Sequence, residues 1–197
     1  MRLPDSFYER TEVVTIAREL LGKLLVVNTK GVITSGWIVE TEAYSWTERG
    51  CHAYGGKMTE RNKIMFASGG HAYVYLCYGM HHLFNVVTNV KGIAEAVLIR
   101  AVEPVAGVTL MQKRRGNKGH AFHLTSGPGK LTQAMGIDRK HNGKYLRGNE
   151  VWIEEGQGVS SSQICSSKRI GVDYAGKDAE LPWRFTIANN KWISVKV

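Results

Sequence analysis

The sequence predicts one α+β domain built around a curved, mostly antiparallel β-sheet with flanking helices. Strand-like runs come in clusters, without the regular strand–helix alternation that makes a parallel sheet. Glycines sit at or near the turns between them, at Gly31, Gly79 and Gly92. The 197 residues are enough for one apolar core and too few for two comfortable ones, so residues 1–197 are read as a single domain. No repeat, low-complexity tract or linker divides them.

The elements follow in order. A helix is expected over 12–21, where Val13, Ile16, Ala17, Leu20 and Leu21 share one face, with Thr11 as N-cap and Gly22 just past the end. Strands are expected at 23–29, 33–44, 71–78, 83–90 and 96–103. Beyond Pro104 a short helix is expected over 105–115, ending in Lys113, Arg114 and Arg115. Ser126 is placed to cap a helix running to Gly136, and short strands at 151–155, 183–188 and 191–197 close the chain.

Charge gives the first functional direction. The formal net charge is +9, and residues 51–150 carry all of the excess, with fourteen Lys and Arg against five acids. A concentrated basic surface suits a polyanion, either nucleic acid or an anionic membrane surface. No apolar window is long enough to span a bilayer, and the N-terminus lacks the apolar core of a secretory signal. Cys51, Cys77 and Cys165 are odd in number and scattered, which fits a reducing compartment. The expected location is a bacterial cytoplasm, at the nucleoid, or a nucleus if the source is eukaryotic.

Several residues have the chemistry of a site. In the strand V-E-T-E-A-Y (39–44), Glu40, Glu42 and Tyr44 share a face. On a solvated face they simply meet water; lining a cleft, one ionised carboxylate there can serve as a general base. Tyr73 and Tyr75 share a face of the next strand, and Tyr78 stands at its end beside Gly79. Cross-strand packing accounts for such tyrosines, but flat rings beside cationic charge also suit an unstacked base. Arg100 in an apolar strand needs an anion or acceptors, either a structural ion pair with Glu40, Glu95 or Glu103 or a functional pairing that orients Glu42, its water or a phosphate. Asn85, also within an apolar run, needs partners of its own. The run S-G-P-G-K (126–130) offers backbone N–H groups and Lys130 to a phosphate, or simply caps a helix. Seven histidines include no metal-binding spacing, and no G-x-S-x-G is present, so neither a metal site nor a serine hydrolase is expected.

Together these motifs resemble the alkyladenine (3-methyladenine) DNA glycosylase family. The resemblance is carried by E-T-E-A-Y (40–44), H-A-Y-G-G-x-x-T-x-R-N (52–62), Y-V-Y-x-x-Y-G-M (73–80), Asn85, L-I-R-A-V-E-P (98–104), S-G-P-G-K-L (126–131) and R-I-G-V-x-Y-A-G (169–176). It implies a compact mixed α/β fold and a monofunctional enzyme that excises damaged purines from double-stranded DNA without a cofactor or metal. By the resemblance, Glu42 is the general base and Arg100 stands near the catalytic water. Tyr44, His52 and Tyr75 sandwich the flipped base, Tyr78 is the duplex wedge, and Asn85 disfavours the guanine 2-amino group. Arg61, Lys63 and Lys130 are expected at the DNA backbone, and a monomer is expected to suffice. The stretch 45–51 is one residue shorter than the mammalian pattern, Glu60 replaces a usual proline, and the loop 88–95 is longer. These departures lie at the outer rim. Two rival readings use the same residues: a small-molecule ribosidase, and a non-catalytic nucleic-acid-binding module.

Overall fold

The alternating runs become the strands of one open antiparallel sheet in a computed structural model that describes residues 1–116 and 121–196. The strands are β1 (Leu24–Thr29), β2 (Val32–Ser45), β3 (Ala72–Cys77), β4 (His81–Thr88), β5 (Glu95–Ala106), β6 (Val151–Glu154), β7 (Ile164–Ser167) and β8 (Arg184–Ile187). Their order is β3-β4-β5-β2-β1-β6, with β8 beside β2 and β7 beside β8. At 14 residues, β2 is long enough to hold two partners along one edge. Its first half pairs with β1 and Glu40–Glu42 pair with β8, while β5 runs along the opposite edge.

Period two divides the side chains between the two faces of this sheet. On one face Ala43, Val74, Phe84, Val86, Val97 and Ile99 join the main core. Helices α2 (Val13–Glu19) and α4 (Pro128–Met135) cover them, α2 against β2 and β5, α4 against β4 and β5. Leu20, Ile38, Phe84 and Ile99 are completely buried there. Each such side chain contributes about 1.5–3 kcal/mol of transfer free energy. The intervening residues Tyr73, Val87 and Ala96 face the other way, where they form a smaller cluster with Cys51, Ala53 and Met65. The functional residues lie on that second face.

The described residues correct the expected elements in places. β5 continues through Pro104 to Ala106, and α3 (Val108–Arg114) starts only after Gly107. A register shift at Ser35/Gly36 accompanies the proline, so its missing N–H falls at an irregular part of the ladder. Glu12 and Gly127, neither with a side-chain cap bond, stand at the N-caps expected for Thr11 and Ser126. A one-turn helix α1 (Asp5–Tyr8) and the short strand β7 were not expected. The strand expected at 191–197 is not formed by the described residues 191–196. There the Ser194 N–H and the Val195 carbonyl bond to the buried Glu40 and Arg184 side chains. Val197 and His120 lie outside the described residues.

Candidate active site

The site is built on a register of four strands. Glu42 pairs with Leu98, Leu98 with Asn85, and Asn85 with Tyr73, so one row crosses β2, β5, β4 and β3. Strands lie about 4.8 Å apart, which sets the Glu42 and Asn85 backbones roughly 10 Å apart with room for a flat ligand between. Two compensating irregularities adjust the row beside it. Ile38 and Glu40 pair with Val102 and Ala101, whereas Glu40 and Thr41 pair with Ala101 and Ile99. Val39 and Arg100 are therefore the extra residues of opposing bulges, which is how a strand re-aims a side chain. Arg100 ends between two carboxylates, with Nε 2.9 Å from Glu40 Oε1 and Nη1 3.3 Å from Glu42 Oε2.

Those two carboxylates have different surroundings. Glu40 accepts from Arg100 Nε, from Arg184 Nε at 2.8 Å, and from Ser194 through both its hydroxyl (2.7 Å) and its N–H. Burial opposes its charge, but Arg100, the Ser194 N–H and Arg184 outweigh that penalty and hold its carboxyl below the usual range. Glu40 is thus saturated by structural donors. Glu42 is equally buried and accepts from Tyr44 Oη at 2.7 Å, from the Ile170 N–H at 2.8 Å and from Arg100. All three of these donors line the same cavity. Burial, and then the Glu42 carboxylate, push the Tyr44 phenol well above its ordinary value, so it stays a hydrogen-bond donor. Glu42 itself is fully buried and is not among the residues that line the cavity; it meets the cavity through the three groups that bond it.

That cavity, about 840 Å³, is lined by Tyr44, His52, Tyr75, Tyr78, Asn85 and Arg100, so the sequence-assigned residues converge. His52 and Tyr75 touch edge-to-face with ring centroids 4.6 Å apart, and His52 Nδ1 lies 2.8 Å from Tyr73 Oη. They form one aromatic wall. Asn85 donates from Nδ2 to the Tyr73 carbonyl at 3.1 Å and is itself buried. Although the His52 ring stays open to the cavity, desolvation and then the Arg61 charge pull its pKa down to about 4. A neutral imidazole presents an electron-rich face without repelling a cation. The His52 proton resonance is expected to titrate near pH 4 rather than at the ordinary 6.5. An NMR midpoint at or above about 6 would mean that the desolvation inferred from the fold is absent.

The turn joining β3 to β4 raises a ring above this cavity. Tyr78 and Gly79 both have left-handed backbones, with φ of 48° and 68°. Glycine adopts this conformation freely, whereas for tyrosine it is strained by about 1 kcal/mol or more. The strain leaves Tyr78 89% exposed at the tip, beside the exposed Met80. Arg61, Arg115 and Lys130 also line the cavity, and the Arg61 guanidinium stacks on Tyr75 at 5.0 Å. Lys63 is not among the residues lining the cavity; it is exposed and paired with Glu60 at 2.8 Å. Among the described residues no group of three His, Cys, Asp or Glu is arranged to hold a metal ion.

Sequence reading did not give a role to three contributors. Arg169 is buried, with a two-pronged ion pair to Glu48 and a guanidinium 4.7 Å from the Tyr44 ring. Ile170 supplies the N–H to Glu42, and Tyr174 stands at the cavity rim with its hydroxyl donating to the Gly50 carbonyl at 3.1 Å. The motif R-I-G-V-x-Y-A-G (169–176) pointed to this segment, but no residue type in it names a hydrogen bond from its own backbone.

Comparison with known proteins places the chain in a class, the DNA glycosylases, which are hydrolases. The family model described as methylpurine-DNA glycosylase (MPG) matches residues 6–191, and the chain belongs to that family. It is 50% identical to a protein of Carboxydothermus hydrogenoformans that bears the provisional name 3-methyladenine DNA glycosylase, over 100% of both chains. A Clostridium acetobutylicum protein with the same provisional name is 45% identical over 99% of this chain and 98% of its own. One from Chlamydia pneumoniae, named likewise, is 44% identical over 94% and 95%.

Proposed function

We propose that this DNA glycosylase takes an alkylated or deaminated purine out of double-stranded DNA and hydrolyses its N-glycosidic bond, with Glu42 as general base. The observation that carries this reading is the position of Glu42, whose three donors all line a cleft walled by Tyr44, His52 and Tyr75. A base within the duplex cannot present its sugar carbon to attack, so it must be extruded at a cost of a few kcal/mol. Tyr78 enters the gap it leaves, as apolar wedges do in minor-groove binders. The purine stacks against Tyr44 on one side and against His52 and Tyr75 on the other, with Asn85 at its edge. Candidate bases are 3-methyladenine, 7-methylguanine, hypoxanthine and ethenoadenine.

Glu42 takes a proton from water, and the resulting hydroxide forms the C1′–O bond. The C1′–N bond breaks and its electron pair leaves with the purine: a cationic alkylated base departs neutral, whereas hypoxanthine or ethenoadenine departs as an anion that takes a proton from solvent water. Until that proton transfer is complete, the carboxylate charge also stabilises the oxocarbenium-like sugar that forms as the C1′–N bond breaks. β2 carries no lysine, so no amine on the Glu42 strand can form a Schiff base with the sugar. We further propose that the protein acts as a monomer in a bacterial cytoplasm, without a metal or cofactor; the relatives named above are bacterial.

A gel assay on duplexes carrying these bases tests the reading. Strands should break only after alkali treatment. Breakage without alkali, or an adduct trapped by borohydride, would contradict hydrolysis by water. Binding without base release would return the non-catalytic reading, and release from free nucleosides alone the ribosidase. Tyr78→Ala is expected to weaken binding to lesion DNA more than it slows single-turnover excision at saturating enzyme. An unchanged dissociation constant would remove the wedge role.

A further inference from the structure

We infer that Arg169 and Glu48, a buried ion pair behind the aromatic cleft, are positioning residues that fix Glu42 and Tyr44 for the reaction. The inference rests on the general-base role proposed for Glu42. Arg169 Nη1 meets Glu48 Oε1 at 2.6 Å and Nη2 meets Oε2 at 2.7 Å, a planar fork-to-fork geometry that only arginine offers a carboxylate. The same guanidinium donates to the Ala43 carbonyl on β2 at 3.1 Å and to the Asp178 carbonyl at 3.0 Å. It therefore ties the 169–178 segment to the strand that carries Glu42 and Tyr44. Its flat face lies 4.7 Å from the Tyr44 ring centre and 5.5 Å from that of Trp183.

Two consequences reach the chemistry. The residue after Arg169 is Ile170, whose N–H bonds Glu42 Oε1 at 2.8 Å, so locating Arg169 also locates a donor to the carboxylate. Tyr44 has the guanidinium stacked on it, which holds the ring that bonds Glu42 Oε2. Gly50 leaves space for this assembly: a Cβ there would come 2.9 Å from Glu48 Oε2 and 3.1 Å from Arg169 Nη2. The Gly50 N–H itself bonds Glu48 Oε2 at 2.6 Å. An ion pair serving stability alone could be replaced by apolar groups at little cost. A pair that sets the position of a catalytic group cannot, because a displacement near 1 Å can cost about 10²-fold in rate.

The test compares Arg169→Lys, Arg169→Met and Glu48→Gln, with Glu42→Gln in parallel. For each folded variant the single-turnover excision rate at saturating enzyme and the dissociation constant for lesion duplex are measured separately. Arg169→Met and Glu48→Gln are expected to slow excision about 10- to 100-fold with little change in binding. Arg169→Lys, which keeps the charge and loses the fork, is expected to fall between them and the parent. If Arg169→Met does not fold, the two conservative variants decide. Parental rates in both of these would overturn the inference. So would rate and affinity falling together in proportion to the folded fraction. Should Glu42→Gln remain active, the base assignment fails and takes this inference with it; if Glu42→Gln is inactive while the Arg169 and Glu48 variants excise normally, only the positioning role fails.

Discussion

Glu42→Gln is expected to lose single-turnover excision by about 10²-fold or more, the usual reach of a positioned acid–base group. Glutamine keeps the shape of the side chain but cannot accept the proton of the attacking water. Lesion-duplex binding should survive, because the rings, the Tyr78 tip and the basic residues of the cavity are untouched. Parental activity in this variant would move the base elsewhere. Glu40 is a poor successor, since two guanidinium groups and the Ser194 hydroxyl and N–H already occupy its oxygens.

The second large effect is on stability, at Glu40. Glu40→Gln removes the negative charge shared by Arg100 and Arg184, both of which are buried. Arg100 keeps Glu42, but Arg184 loses the one carboxylate paired with it among the described residues. Removing one partner of a buried pair typically costs about 3–5 kcal/mol, because the remaining charge is left uncompensated. Urea denaturation of the parent and the variant measures it, and a loss below about 1 kcal/mol would contradict the account. The pH dependence has a definite sign. The folded-state pKa of Glu40 lies below its ordinary 4.5, so the unfolded chain takes up the proton first on acidification. Its contribution is fully present above about pH 4.5 and fades as pH falls through the folded value. The acid unfolding of Glu40→Gln should lack that part of the slope.

How much of this was legible in the sequence follows from the range of each signal. Period two is local, so E-x-E-x-Y and Y-x-Y placed Glu40, Glu42 and Tyr44, and then Tyr73 and Tyr75, on common faces, and the sheet keeps them there. Spacing alone left the choice between Glu40 and Glu42 open, and only the resemblance favoured Glu42, because the difference depends on Arg184 and Ser194, both more than 140 residues away from Glu40. Opposing bulges at Val39 and Arg100 also have no sequence signature, since they exist only as a mismatch between two strands. The Arg169–Glu48 pair spans 121 residues. The C-terminal run misled because its apolar alternation is real, whereas its backbone groups find buried charged side chains in place of a neighbouring strand.

The most direct measurement is the structure of the protein on a duplex carrying a purine nucleotide that cannot be cleaved. The purine should lie between Tyr44 and the His52–Tyr75 wall, with the Tyr78 ring in the stack it has left. A water held by Glu42 should stand about 3 Å from the carboxylate and face the sugar carbon. A purine still stacked in the helix, or one extruded into a different concavity with Glu42 remote from its sugar, would rule out Glu42 as the general base.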